Sequence, residues 1–195
     1  MNKSTIRKIY RQKRLELTTQ DVKLFSQEIA NNFIQNLLPT IANFSSKKLA
    51  FYVAANNEVD PIFIMRHCQN LGNNISLPII TSGHLILDFK TYRIGDNLYN
   101  NDLYPQILEP NGSSQNVTPD IIFVPLVAFD KYCNRIGMGG GFYDTTINNY
   151  KKNNGHQIFV GLGYNWQQST SIDVENSDEI LDIIISQNNI FLRNQ

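Results

Sequence analysis

The chain has 195 residues, the size of one ordinary domain, with 42% apolar residues and 17 basic side chains balanced by 17 acidic ones. Zero net charge argues against a general nucleic-acid binder, whose affinity comes from an excess of Lys and Arg neutralising phosphates. No run approaches the roughly 18 apolar residues of a membrane span, no apolar segment follows the basic start as a secretory leader requires, and Cys68 and Cys133 are too few for a disulfide scaffold and lack metal spacing.

Lys3, Arg7, Arg11 and Arg14 recur at steps of four, four and three along one side of a helix, with Ile6, Ile9 and Tyr10 on another. Thr18, Thr19 and Asp21 mark a second helix start. Val22, Phe25, Ile29, Phe33 and Leu37 give that helix an apolar face ending before Pro39. The period then changes. Leu49 to Ala54 is a short apolar run suited to a buried strand. Asp60-Pro61 opens a helix through Ile64, Met65 and Cys68 to Leu71, with Gly72 just past its end. Ile75 to Ile80 and Leu85 to Phe89 predict strands, residues 91–119 a polar, turn-rich connection, and Ile121 to Val127 the most apolar strand. A loop to Gly141, a helix of about ten residues, and strands at Ile158 to Leu162 and Ile180 to Ile185 complete the set. Strands alternating with helices, several apolar on both faces, predict an α/β fold. The expected architecture is an open, mostly parallel sheet flanked by helices on both faces, in a single Rossmann-like domain over 1–195. The expected setting is cytoplasmic, the expected state a monomer, with no nucleic-acid or membrane partner. The 25 asparagines are read as compositional bias.

The strongest local signal is Asn134-Arg135-Ile136-Gly137-Met138-Gly139-Gly140-Gly141-Phe142-Tyr143-Asp144. Four glycines in five positions lose much backbone entropy on folding and suit neither helix nor strand. Their use is to turn backbone N–H groups toward an anion, and a helix starting at the end of the loop adds its own unpaired N–H groups and dipole. Arg135 suits phosphate oxygens, and Asp144 a cation. A Walker loop is excluded because no Gly-Lys-Ser/Thr is present. A dinucleotide loop is excluded because Phe142 stands where the third glycine belongs.

Val124-Pro125-Leu126-Val127-Ala128-Phe129-Asp130 followed by this loop resembles the signature of the 5-formyltetrahydrofolate cyclo-ligase (5,10-methenyltetrahydrofolate synthetase) family. Lys3 to Arg7, Asn57-Glu58-Val59-Asp60, Ile107-Leu108-Glu109-Pro110, Gln167, Asp178 and Asp182 resemble further blocks in the family's order. The resemblance implies ATP- and Mg2+-dependent conversion of 5-formyltetrahydrofolate to 5,10-methenyltetrahydrofolate with release of ADP and phosphate. The formyl oxygen, a poor leaving group, is phosphorylated, and N10 then attacks to close the ring. Such chemistry needs alignment and charge neutralisation more than covalent help. By the same resemblance, Lys3, Arg7, Arg135, Ile136, Gly137, Met138, Gly139, Gly140, Gly141, Phe142 and Tyr143 hold ATP, with Arg135 and Tyr143 catalytic. Val53, Glu58 and Met138 to Phe142 (Met138, Gly139, Gly140, Gly141, Phe142) contact the folate, and Asp144 and Asp178 hold magnesium.

Other readings remain open at the level of sequence. The basic stripe is ordinarily a solvated helix face, and Asp173, Glu175, Asp178, Glu179 and Asp182 an exposed acidic loop. His67, His84 and His156 share no metal spacing, and Tyr164 and Trp166 ordinarily pack. Two departures from the resembled pattern stand out: Cys133 where members commonly carry Gly, and Thr145 where they carry Arg. Thr145 motivates the alternative of a non-catalytic nucleotide- or folate-binding protein of the same fold. A sugar-phosphate isomerase follows from architecture alone.

Overall fold

The structure, a computed structural model, describes residues 2–193. The ends of the expected 1–195 domain, Met1, Asn194 and Gln195, lie outside the described residues. The first helix, α1 (Lys3–Leu15), is capped by the Asn2 side chain, which accepts from the Thr5 N–H at 2.9 Å. α2 (Thr19–Asn32) begins with a capping box in which Thr18 and Asp21 satisfy each other's backbone N–H groups. Pro39 has no N–H to continue the ladder, and the helix ends in a widened π turn over Phe33–Leu37 and a tight turn over Leu38–Thr40.

Seven strands form the central sheet: β1 (Lys48–Ala50), β2 (Asn74–Ile80), β3 (Leu87–Thr91), β6 (Ile121–Pro125), β9 (Ile158–Leu162), β10 (Ile183–Ile185) and β11 (Ile190–Leu192). Between them lie two small pairs, β4 (Tyr99–Asn100) with β5 (Leu108–Glu109) and β7 (Ala128–Phe129) with β8 (Arg135–Ile136). The sheet runs β11-β10-β9-β6-β1-β2-β3. Its five inner strands are parallel, and β3 and β11 pair antiparallel at the two edges.

α2 and α3 (Ile62–Asn70) cover one face, where Ile29, Phe33, Ile64 and Cys68 pack on Leu49, Phe51, Ile121 and Phe123. α4 (Phe142–Lys152) covers the other, placing Ile147 against Ala50, Ile122, Val124 and Ile184. Strands buried on both faces read as continuous apolar runs, so the expected mostly parallel sheet with helices on both sides is the observed one. Several boundaries differ. The run from Leu49 to Ala54 is a strand only to Ala50, and that from Leu85 to Phe89 is displaced to Leu87–Thr91 by its pairing with β2. The run from Ile121 to Val127 ends at Pro125, and that from Ile180 to Ile185 begins at Ile183. Phe51 and Leu181, outside these strands, still pack in the core, and β11 lacks the flanking signals that mark a strand in sequence.

Many asparagines have structural work. Four of the five non-glycine residues with positive φ are Asn43, Asn56, Asn57 and Asn154, and Asn32, Asn57, Asn73 and Asn101 donate to backbone carbonyls. Asn tolerates the left-handed region because its short amide satisfies nearby backbone groups. The fifth such residue is Cys133, at φ 65, so the turn keeps the glycine-like conformation despite its side chain.

Candidate active site

β1 and β6 are sheet neighbours from which the chain departs in opposite directions, and the segments leaving their carboxyl ends meet above the sheet. This is the switch point at which open α/β sheets bind ligands. From β1 comes the turn carrying Val53 and Glu58. From β6 comes the β7–β8 hairpin, which delivers Arg135 and then the glycine loop. The hairpin is set by Asp130, 1% exposed, whose carboxylate accepts from the N–H groups of Tyr132 (2.9 Å), Asn134 (3.1 Å) and Ile172 (3.1 Å).

α1 lies across this crevice with Lys3, Arg7 and Arg14 turned inward and Lys8, Arg11 and Lys13 exposed. Ile6 packs with Val127, Ala128, Ile136 and Ile172, fixing the helix against the hairpin. That contact brings Lys3, Arg7, Tyr10 and Arg14 to the inner side, while Ile9 is left 48% exposed. The stripe is therefore divided: Lys3, Arg7 and Arg14 face inward, and Arg11 stays exposed as a solvated residue. Arg7 donates from Nε to the Gly137 carbonyl at 2.8 Å, and its Cζ lies 3.8 Å from where a Cβ on Gly139 would stand. Gly139 has φ +101 and Gly141, the N-cap of α4, has φ +73, conformations open to glycine. No side chain caps α4, so the first N–H groups of the helix remain available beside the glycine loop.

At the outer end of α1 the Lys3 ammonium pairs with the Asp178 carboxylate and reaches Glu175 at 3.3 Å. Arg135, 7% exposed, donates from NH1 to the Glu179 carbonyl at 2.7 Å and lies 2.9 Å from Asp144 Oδ1 through NH2. The Glu179 N–H donates to the same Asp144 oxygen at 3.1 Å, which ties the Asp178–Glu179 segment to α4. Glu179 is anchored further by Asn148 at 2.7 Å and Lys151 at 2.5 Å. Asp144 and Asp178 thus stand on adjoining segments, and each engages its protein partners through one carboxylate oxygen. Among the described residues no group of three or more His, Cys, Asp and Glu side chains gathers as a metal centre. The donor set suits Mg2+, which takes one or two carboxylates and completes its shell with water and substrate phosphates.

Glu58 is buried at 9% exposure, its Oε1 3.3 Å from Arg14 NH1 and its Oε2 accepting from the Ala55 N–H at 3.1 Å. Burial pushes its carboxyl pKa up, opposed by the Arg14 charge. Tyr143 is half-buried between the two charged ends: burial and the Glu58 charge raise its pKa while Arg135 opposes them. It therefore stays a neutral O–H donor at physiological pH. Phe142 meets Tyr104 edge-on at 5.7 Å, so the 91–119 connection borders the loop. Met138 is 43% exposed at the loop's crest, and Val53 is half-buried. The Ile136 side chain is in the core against Ile6, which leaves its backbone to border the loop. Glu109 and Gln167 are structural. Glu109 accepts from the Ile80 N–H at 3.1 Å and Asn101 at 2.9 Å, and Gln167 donates to the Val127 carbonyl at 2.8 Å. The Cys133 thiol is buried, its pKa pushed up to about 11, which suits packing rather than nucleophilic attack.

The crevice therefore brings the glycine loop, Asp144 and Asp178, and the buried Glu58 together across about one helix length. The model of the 5-formyltetrahydrofolate cyclo-ligase family matches residues 1–187. The chain belongs to this family. Membership makes it a ligase of folate one-carbon chemistry. A 5-formyltetrahydrofolate cyclo-ligase of Haemophilus influenzae is 33% identical over 188 residues, covering 89% of this chain and 98% of that one. One of Escherichia coli is 28% identical, covering 93% and 98%. In fold, the chain is similar to 5,10-methenyltetrahydrofolate synthetases of Aquifex aeolicus (TM-score 0.79, 23% identity, 100% of this chain and 94% of that one) and Mycoplasma pneumoniae (TM-score 0.74, 23% identity, 96% and 100%). Among the described residues no helix is long and apolar enough to cross a membrane.

The residue that sequence reasoning left without a role is Arg14. It was placed on the basic stripe but is 1% exposed and bonded to Glu58 and Met138. Its signal was the i, i+4, i+8 series Ile6, Tyr10, Arg14, which follows the apolar side of the helix rather than the outer one.

Proposed function

We propose that this ligase cyclises 5-formyltetrahydrofolate to 5,10-methenyltetrahydrofolate at the expense of ATP, with Mg2+, releasing ADP and phosphate. The observation that carries this reading is the basic inner face of α1 lying on the glycine loop, with Glu58 at one end and Asp144 and Asp178 at the other. Lys3, Arg7, Arg135 and the backbone from Ile136 to Tyr143 cradle the triphosphate, supplying N–H donors and positive charge where charge builds up during phosphoryl transfer. Asp144 and Asp178 hold magnesium, which when bound neutralises charge on the phosphate oxygens. In binding, Lys3 exchanges Asp178 for phosphate, which frees a carboxylate that would help hold Mg2+. Val53, Glu58 and the Met138–Phe142 segment hold the folate, Glu58 accepting from ring N–H groups and Phe142 offering an aromatic face. Tyr143, held as a neutral hydroxyl, donates to the transferring phosphate beside Arg135. Phosphorylation of the formyl oxygen makes it a leaving group, and N10, held close, displaces it.

The whole chain acts as one cytoplasmic unit, a monomer in this reading. The test is to mix protein, MgATP and 5-formyltetrahydrofolate and follow the near-ultraviolet absorbance of the methenyl product with ADP release. Product in the absence of ATP, or neither product nor ADP in its presence, overturns the reading.

A further inference from the structure

We propose that Arg14 is a positioning residue for the folate, locking the Glu58 carboxylate on one wall of the crevice and Met138 of the glycine loop on the other. This rests on the reading of Glu58 as the folate contact. A guanidinium that is 1% exposed has no water to replace lost partners, so whatever it bonds is fixed in place. Arg14 reaches Glu58 Oε1 at 3.3 Å through NH1 and Met138 Sδ at 3.8 Å through NH2, spanning both walls with one planar group. The end of α1 and the turn after it grip the Glu58 turn a second time: Asn57 Nδ2 donates to the carbonyls of Arg14 (3.2 Å) and Leu17 (2.9 Å). Asn56 and Asn57 carry φ of 50 and 58, so the turn holds an uncommon shape.

With Ala55 N–H on its other oxygen, the Glu58 carboxylate has one protein donor on each oxygen and a second lone pair on each for a ligand. The groups facing it are Arg14 from α1, Tyr143 from α4, and Tyr52 and Tyr164 from beyond the ends of β1 and β9. Of these only Arg14 is positively charged. Without it, only the Ala55 hydrogen bond opposes burial, and the carboxyl then takes up a proton at higher pH and loses acceptor capacity.

Steady-state kinetics with each substrate test this. Arg14→Met is expected to raise the KM for 5-formyltetrahydrofolate about tenfold and leave the KM for ATP within about twofold. Glu58→Gln should raise the folate KM similarly, and Arg14→Met/Glu58→Gln should be no worse than Glu58→Gln alone. In Arg14→Met the folate KM should fall back as pH rises and Glu58 ionises; Arg14→Lys, which keeps the charge, should retain the wild-type pH profile. Circular dichroism checks folding. The double variant and Arg14→Lys bury no unpaired charge and carry the test if Arg14→Met does not fold. Additive penalties, equal rises in both KM values, or a shifted pH profile in Arg14→Lys overturn the proposal. An unchanged folate KM in Glu58→Gln overturns the folate role of Glu58 itself. A raised one there, beside an unchanged one in Arg14→Met, overturns the positioning role alone.

Discussion

The two ends of α1 carry the same chemistry in opposite environments. At its start Lys3, its side chain 13% exposed, pairs with Asp178 and Glu175, which are 23% and 69% exposed, so water reaches the pair from the acidic side. About 16 Å further along, at 1.5 Å per residue, Arg14 pairs with Glu58 where neither side chain is more than 10% exposed. An ion pair open to water contributes little net stability, since water substitutes for either partner, and it is easily exchanged for a ligand. A buried pair is costly to break because the remaining charge has nowhere to go. One helix thus offers an exchangeable end, suited to a ligand that enters and leaves, and a fixed end, suited to holding a wall of the crevice.

Substitutions at each end break or sharpen that contrast. The largest effect is expected from Arg14→Ala, which strands the Glu58 carboxylate and should cost about 3–5 kcal/mol in urea unfolding. The loss should depend on pH. Because burial holds the Glu58 pKa above its ordinary value, the folded state retains that proton longer than the unfolded chain does. This group's contribution is therefore present below the unfolded pKa and is lost as pH rises through the folded one. In Arg14→Ala the window should extend to higher pH, so acidification should recover part of the stability; unfolding curves at two pH values check this.

Next, Arg135→Ala removes donors to the Glu179 carbonyl and Asp144 and should lower turnover with ATP about a hundredfold. It should destabilise less than Arg14→Ala, because Asp144 keeps contact with water; initial rates and melting curves separate the two. Asp144→Asn should raise the half-saturating magnesium concentration about tenfold, read from a magnesium titration of the rate. Gly139→Ala should cost about 1 kcal/mol or somewhat more, from φ +101 rather than from crowding, since the nearest atom to its Cβ would be 3.8 Å away. Smallest in stability is Lys3→Ala, under about 1 kcal/mol, while its KM for ATP should rise. If Lys3→Ala destabilised as much as Arg14→Ala, the contrast between the ends would fail.

Much of the fold was legible because buried strands and amphipathic helices write their periods into the chain. β9 matches its apolar run residue for residue, and α3 follows Asp60-Pro61 as its capping signals require. The short pairs β4–β5 and β7–β8 and the edge strand β11 were not legible, since two- and three-residue strands are defined by their partners. The glycine loop and its flanking Arg135 and Asp144 were visible because no other structure tolerates so many glycines in a row. Arg14 was not. A basic residue at helical spacing looks alike whether it faces solvent or core, and only the packing of Ile6 against the hairpin sets the helix's rotation.

Residue order set which backbone conformations were available: where strands and helices could form, and that one loop had to be bare main chain. Tertiary structure alone decided which charges meet. Lys3 and Asp178, Arg14 and Glu58, and Arg135 and Asp144 lie 175, 44 and 9 residues apart in sequence. Local propensity acts over a few residues, whereas the pairing of charges and their removal from water depend on how distant segments pack.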